Sequence, residues 1–91
     1  MPTIQVPTLY QGHTRRESSI EVTGETIGAC FDAAEAIFPG FRAVLVDESG
    51  AIHKFNKISL DGELLARDPA VLETPVSADA RIEVMAAIAG G

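Results

Sequence analysis

The chain has 91 residues, 46% of them hydrophobic, with thirteen acidic and seven basic side chains and a net charge of -6. A chain this short buries only about 60% of its unfolded surface, so it supports one core and one domain. The acidic balance repels phosphate backbones and anionic lipid, arguing against nucleic-acid and membrane partners, and the single cysteine, Cys30, excludes an intrachain disulfide.

Met1 to Tyr10 carries no basic side chain and alternates rather than running apolar, unlike a secretory leader. No apolar run approaches the ~18 residues of a membrane span. A cytoplasmic protein of a reducing compartment is therefore expected, and its acidity would suit a basic docking surface on an enzyme as well as plain solubility.

From Thr3 to Tyr10 the side chains alternate, with Ile4, Val6, Thr8 and Tyr10 on one face, which predicts a strand. Pro7 cannot donate to a ladder and belongs at a bulge or near the strand's end. Gln11 to Glu17 is polar and leads into a second alternating run, Ser18 to Val22. The two runs predict a hairpin with a long turn.

Thr26 is placed to cap a helix. Ile27, Cys30, Phe31, Ala34, Ile37 and Phe38 then fall on one helical face, with Asp32 and Glu35 opposite, and Pro39-Gly40 stops the run. Cys30 lies on the apolar face and reads as a packed thiol. Phe41 to Val46 suggests one helical turn, and Asp47 to Gly50 a turn. A strand is expected from Ile52 to Leu60, with Ile58 and Leu60 on one side, followed by the hairpin dipeptide Asp61-Gly62 and a short return through Leu64 and Leu65. Ala66 to Thr74 reads as irregular. A last strand, Arg81 to Ala87, places Ile82, Val84 and Ala86 on one face and Glu83, Met85 and Ala87 on the other. The resulting class is α+β, a sheet covered on one face by one main helix.

Few residues fit self-contained catalysis. His13 and His53 are far apart and lack a second cysteine, so no metal site is expected. The Asp47–Gly50 turn has its glycine at the wrong position for a calcium loop. Gly24-Glu25-Thr26-Ile27-Gly28 lacks the serine of a nucleophile elbow. No catalytic side chain and no bound cofactor are expected. What remains is the terminus: residues 1–87 make the domain, and 88–91 make a flexible tail whose Gly90-Gly91 can thread a channel too narrow for side chains.

Taken together, Val6-Pro7-Thr8-Leu9, Gly24-Glu25-Thr26-Ile27-Gly28, Phe38-Pro39-Gly40, His53-Lys54-Phe55, Asp61-Gly62-Glu63, Thr74-Pro75-Val76 and Ala87-Ile88-Ala89-Gly90-Gly91 follow one order and spacing. In this the chain resembles the ubiquitin-like sulfur carriers of the MoaD/ThiS superfamily, most of all the CysO-type carriers. The resemblance implies a β-grasp fold with the first and last strands parallel at the sheet's centre. It also implies that an E1-like enzyme uses ATP and magnesium to adenylate Gly91, which sulfur then converts to a thiocarboxylate. Ile88, Ala89 and Gly90 would thread into the partner's active site. In CysO-type chemistry the acceptor is an aminoacrylate held on PLP by a synthase, and a metallohydrolase later releases cysteine. Met85, opposite the covered face, is a candidate docking residue for such partners.

Asn56-Lys57 replaces an apolar residue and an asparagine common in that superfamily, and Ala78-Asp79-Ala80 stands where Asp-Gly-Asp is frequent. The acceptor could be cysteine synthesis or another sulfur-containing metabolite. Three other functions remain open: the small subunit of molybdopterin synthase, whose relatives usually carry aromatic pairs where this chain has Val6-Pro7-Thr8; a ubiquitin-like protein modifier; and a β-grasp interaction module.

Overall fold

A computed structural model of the chain describes residues 1–86. The expected end of the last strand at Ala87 and the tail at 88–91 lie outside them. Five strands, β1 (Thr3–Gln5), β2 (Ser19–Glu21), β3 (Asn56–Leu60), β4 (Glu63–Leu64) and β5 (Arg81–Ala86), form one sheet in the order β2-β1-β5-β3-β4. β1 and β5 are parallel, with Ile4 opposite Ile82, and every other neighbouring pair is antiparallel. The last strand thus lies inside the sheet beside the first, as the family resemblance implied.

One face of this sheet is covered by α1 (Ile27–Ile37) and the short α2 (Phe41–Leu45). Even-numbered residues of β1, β2 and β5 point to that face. Ile4, Ile20, Ile82 and Val84 are buried there together with Ile27, Phe31, Phe41 and Leu45. Fully burying Phe31 or Phe41 contributes about 1.5–3 kcal/mol each. Thr26 starts α1 as expected, its Oγ1 accepting from Ala29 N at 3.1 Å. Cys30 is fully buried, and its desolvation pushes the thiol pKa up. It is a packed thiol.

Ile37 departs from its expected place, being 46% exposed. It lies roughly 80° around the helix from Ile27, at the edge of the apolar stripe. Phe38, expected on the same face, leaves helical geometry at φ -126°, ψ 82° and is buried as expected. Gly28 permits a close approach to the 3-10 helix Pro69–Glu73, because a Cβ there would lie 2.9 Å from the Leu72 carbonyl oxygen. That short helix lies within the segment expected to be irregular. Asp68 caps it by accepting from Ala70 N at 3.1 Å.

β1 is shorter than the alternation suggests. Val6 N still bonds Ser18 O at 2.8 Å, but Pro7 brings no donor and Tyr10 N turns back to Pro7 O at 2.9 Å. The chain therefore coils into a 3-10 helix, Thr8–His13, where a strand was expected. β3 likewise begins at Asn56 and not at Ile52. Ile52 bridges Val46 in a separate antiparallel pair, and Asn56 N closes a turn onto His53 O at 2.9 Å. Asp61 and Gly62 have φ of 52° and 89°, the left-handed pair of a two-residue hairpin. The return strand stops at Leu64, although Leu65 N still reaches Ile58 O at 2.9 Å.

Two turns are fixed by carboxylates. Glu35 accepts from Gly40 N at 2.8 Å and Arg42 N at 2.9 Å, joining the end of α1 to the start of α2. Asp47 accepts from Ser49 N at 2.8 Å, Ser49 Oγ at 2.6 Å and Ala51 N at 3.1 Å, so its carboxylate is occupied in shaping its own turn. Among the described residues no helix is long and apolar enough to cross a membrane.

Candidate functional site: the base of the tail and the open sheet face

The terminal residues expected to carry the chemistry, Gly91 with Ile88, Ala89 and Gly90, follow a strand that is held on both sides. β5 pairs with β1 from Arg81 to Glu83 and with β3 from Ile82 to Ala86. Ala86, the final described residue, stands opposite Asn56. The first half of β5 is thus paired on both edges and its last three residues on the β3 edge, with Ile82 and Val84 buried, so the strand is well held up to Ala86.

Asn56 and Tyr10 complete that base. Asn56 shares the covered face with Ile58 and has no solvent exposure. Its polar groups are satisfied internally: Nδ2 donates to Val44 O at 2.7 Å, and Oδ1 accepts from the Tyr10 hydroxyl. The 3-10 helix that follows β1 is thereby tied to the first residue of β3, on the far side of β5. Neither residue was singled out for this role by the sequence reading, which placed Tyr10 on a strand. The available signal was parity: Asn56 precedes Ile58 and Leu60 by two and four residues, and a polar side chain on a buried face needs a partner.

The opposite face of the sheet is uncovered by helix. Met85 lies on it, 39% exposed and opposite Lys57 of β3. Next to this pair along the sheet, Glu83 faces Gln5 on one side and Ser59 on the other, and Ser59 faces Leu64, which is 58% exposed. Phe55, 47% exposed, adjoins the start of β3 with Lys54 Nζ 5.2 Å from its ring centre. Phe55, Met85 and Leu64 are thus exposed apolar residues among polar neighbours, with Lys57 and Ser59 of β3 between Met85 and Leu64. His53 is half-buried, with Nε2 3.1 Å from Ala43 O, and His13 is exposed on the other loop. Among the described residues no group of three or more His, Cys, Asp or Glu side chains is placed to hold a metal ion.

No family model matches the chain. Whole-protein comparison is decisive: the sulfur carrier protein CysO of Mycobacterium tuberculosis is 31% identical over 91 residues, covering 98% of this chain and 97% of the relative. The chain belongs to the CysO family of sulfur carrier proteins. The CysO of Mycobacterium bovis matches to the same extent. The crystal structure of M. tuberculosis CysO, an antigen, superimposes on the present CysO-family chain with a TM-score of 0.87 at 28% identity, covering 97% of this chain and all of that one. A complex of BexX and CysO from Amycolatopsis orientalis gives a TM-score of 0.87 at 29% identity, with full coverage of both chains. SAMP1 from Haloferax volcanii shares the fold at a TM-score of 0.73 and 17% identity, covering 99% of this chain and 98% of that one. The ubiquitin-like β-grasp fold of the CysO-family chain is thus common to carriers and modifiers, whereas the sequence likeness lies with the carriers.

Proposed function

We propose that this CysO-family chain is a protein co-substrate that carries sulfur on its terminal carboxylate. The observation that carries the reading is the likeness to CysO across the full length, in a chain whose Gly90-Gly91 follows a strand anchored at the centre of the sheet. A carboxylate resists nucleophilic attack because charge and resonance stabilise it. An E1-like partner using ATP and magnesium overcomes this by forming a Gly91 acyl-adenylate with release of pyrophosphate. Hydrosulfide then displaces AMP and leaves a thiocarboxylate. A persulfide donor does the same through an acyl disulfide, which a second thiol reduces. The thiocarboxylate sulfur, softer and more nucleophilic than oxygen, attacks an activated acceptor.

The chain's own part is positional. Ile88, Ala89 and Gly90 span the distance into the partner's channel, and glycine's missing side chain lets the tip enter. Met85, exposed on the open face near the end of β5, is the docking contact. The acceptor is an electrophile of cysteine or related sulfur-metabolite synthesis, such as an aminoacrylate on a PLP-dependent synthase, with a metallohydrolase releasing the product. The carrier works in the cytoplasm, where ATP is available. That a CysO has been crystallised in a complex with BexX supports a role exercised through partner proteins.

The test is reconstitution with an E1-like adenylating enzyme, ATP, magnesium and sulfide. The full chain is expected to gain a group that sulfur-selective alkylation labels. Deleting Gly91 is expected to abolish the gain without lowering Tm, and loading that survives the deletion would refute the reading.

A further inference from the structure

The net charge of -6 conceals a polar distribution. β1 and β5 run parallel and β3 runs against them, so the loop after β1, the start of β3 and the end of β5 meet at one end of the sheet. Arg15 and Arg16 lie in that loop, and Lys54 and Lys57 flank the start of β3. Arg67 joins them by donating from Nη1 to Lys54 O at 2.7 Å. The opposite end holds Glu21 at the end of β2, Asp61 and Glu63 at the β3–β4 turn, and Asp79 before β5, with Arg81 as that end's cation, while Glu17 shares the loop of Arg15 and Arg16 and Asp68 follows Arg67.

Pairing strengthens the contrast. The ion pairs among the described residues are Arg42–Asp32 at 3.0 Å and Arg81–Glu83 at 3.5 Å. Arg15, Arg16, Lys54, Lys57 and Arg67, all exposed, have no carboxylate within ion-pair distance among those residues. Two of them rest on aromatic rings, Arg15 5.3 Å from the centre of Phe38 and Lys54 5.2 Å from that of Phe55. Arg15 and Arg16 also occupy left-handed backbone, with φ of 52° and 68°, although neither is glycine. Thr14, fully buried, closes this turn by accepting from Glu17 N at 2.9 Å and donating from Oγ1 to Glu17 O at 2.8 Å. Non-glycine residues held in this region mark a turn whose shape is imposed by its surroundings.

We infer that these five cations form a collar around the base of the tail, and that the collar docks on a protein presenting an acidic rim around an apolar pocket at the mouth of its channel. The apolar centre on this side is Phe55 and Met85. An acidic molecule whose cations are gathered, unpaired, at one end is oriented by such a rim before contact, which raises the rate of productive encounter. Nucleic acid is the poorer occupant, because the acidic opposite end and the overall charge repel an extended phosphate chain. The identification of the acidic protein as the activating enzyme rests on the carrier function proposed above.

The experiment has two arms. In the first, hexaglutamate is titrated into the labelled full chain at ~50 mM salt, where screening is weak. Amide shifts are expected at Arg15–Arg16 and His53–Lys57, and are expected to vanish in K54E/K57E. Shifts spread evenly, or centred on the acidic end, would overturn the collar, as would a single-stranded oligonucleotide that binds it more tightly than hexaglutamate. In the second arm, adenylation of the chain is measured at low and high salt. R15E/R16E and K54E/K57E are each expected to raise KM about tenfold with kcat unchanged and to flatten the salt dependence, whereas the control E25K/D79K leaves KM within about twofold. Adenylation indifferent to collar reversal would overturn the inference and leave the carrier function standing. Hexaglutamate seated on the collar of a chain that no E1-like enzyme adenylates would support the acidic-partner surface and remove the carrier function.

Discussion

The Tyr10 hydroxyl donates to Oδ1 of Asn56, joining the loop after the first strand to the first residue of the third across the end of the central strand. Asn56 is fully buried and also donates to Val44 O at 2.7 Å. Removing one partner leaves a desolvated acceptor, which costs about 1–3 kcal/mol. Tyr10→Phe is therefore expected to lower stability by that amount in urea denaturation. Asn56→Leu combined with Tyr10→Phe is expected to cost less than the sum of the single changes, since no buried polar atom of the pair is then left alone. Strict additivity would show that the two side chains are not coupled.

Gly28 sets two effects against each other. Alanine is favoured over glycine inside a helix by about 1 kcal/mol. The added Cβ, however, would stand 2.9 Å from the Leu72 carbonyl oxygen, a backbone atom that cannot turn aside. Overpacking of this kind costs about 1–3 kcal/mol. Gly28→Ala is expected to give a net loss on the order of 1 kcal/mol, visible as a lower Tm, and a raised Tm would show that α1 and the Pro69–Glu73 turn separate freely.

Acid should loosen the junction between the helices. Hydrogen bonds from the Gly40 amide, then the Arg42 amide, lower the Glu35 pKa, helped by the Arg42 charge and opposed by desolvation. A carboxylate with a depressed folded pKa adds stability above its unfolded value, about 4.3 for glutamate, and that stability is lost as pH falls through the folded pKa. Asp47 acts in the same direction through its bonds to Ser49 and Ala51. Melting followed from neutral pH downward is expected to show a smaller acid-side decline in Glu35→Gln than in the parent chain, with the difference opening below about pH 4.3. Parallel curves would contradict the assignment.

The exposed thioether of Met85 is a test of the open face. Replacing it with a charged group at the proposed docking surface is expected to reduce kcat/KM for adenylation roughly tenfold, while the circular dichroism spectrum and Tm stay unchanged because Met85 points away from the core. Met85→Glu with unaltered adenylation kinetics would place the contact elsewhere.

Local chemistry makes much of this fold legible in the sequence. The Thr26 cap, the apolar period through Phe31 and Ala34, and the Asp61-Gly62 hairpin each follow from constraints carried by a few neighbouring residues. Failures occurred where a distant partner decides. Tyr10 fits a strand by alternation, but Pro7 ends the ladder and the hydroxyl finds Asn56 46 residues away. Ile37 fits the apolar face by type, yet lies at its edge while Phe38 takes the buried place. Net charge alone does not encode strand direction, which places Arg15, Arg16, Lys54 and Lys57 toward the end of the sheet where β5 finishes. The expected site at 88–91 lies outside the described residues.

The central claim is that Gly91 carries sulfur, and the most direct measurement is the intact mass of the chain purified from its native host, before and after treatment with a sulfur-selective alkylating reagent. The account predicts a species with one oxygen exchanged for sulfur, alkylated at the terminus and localised to Gly91 by fragmentation, in addition to any labelling of Cys30. A chain found only as the carboxylate, and left unchanged by ATP with E1-like enzymes and sulfide, would contradict it.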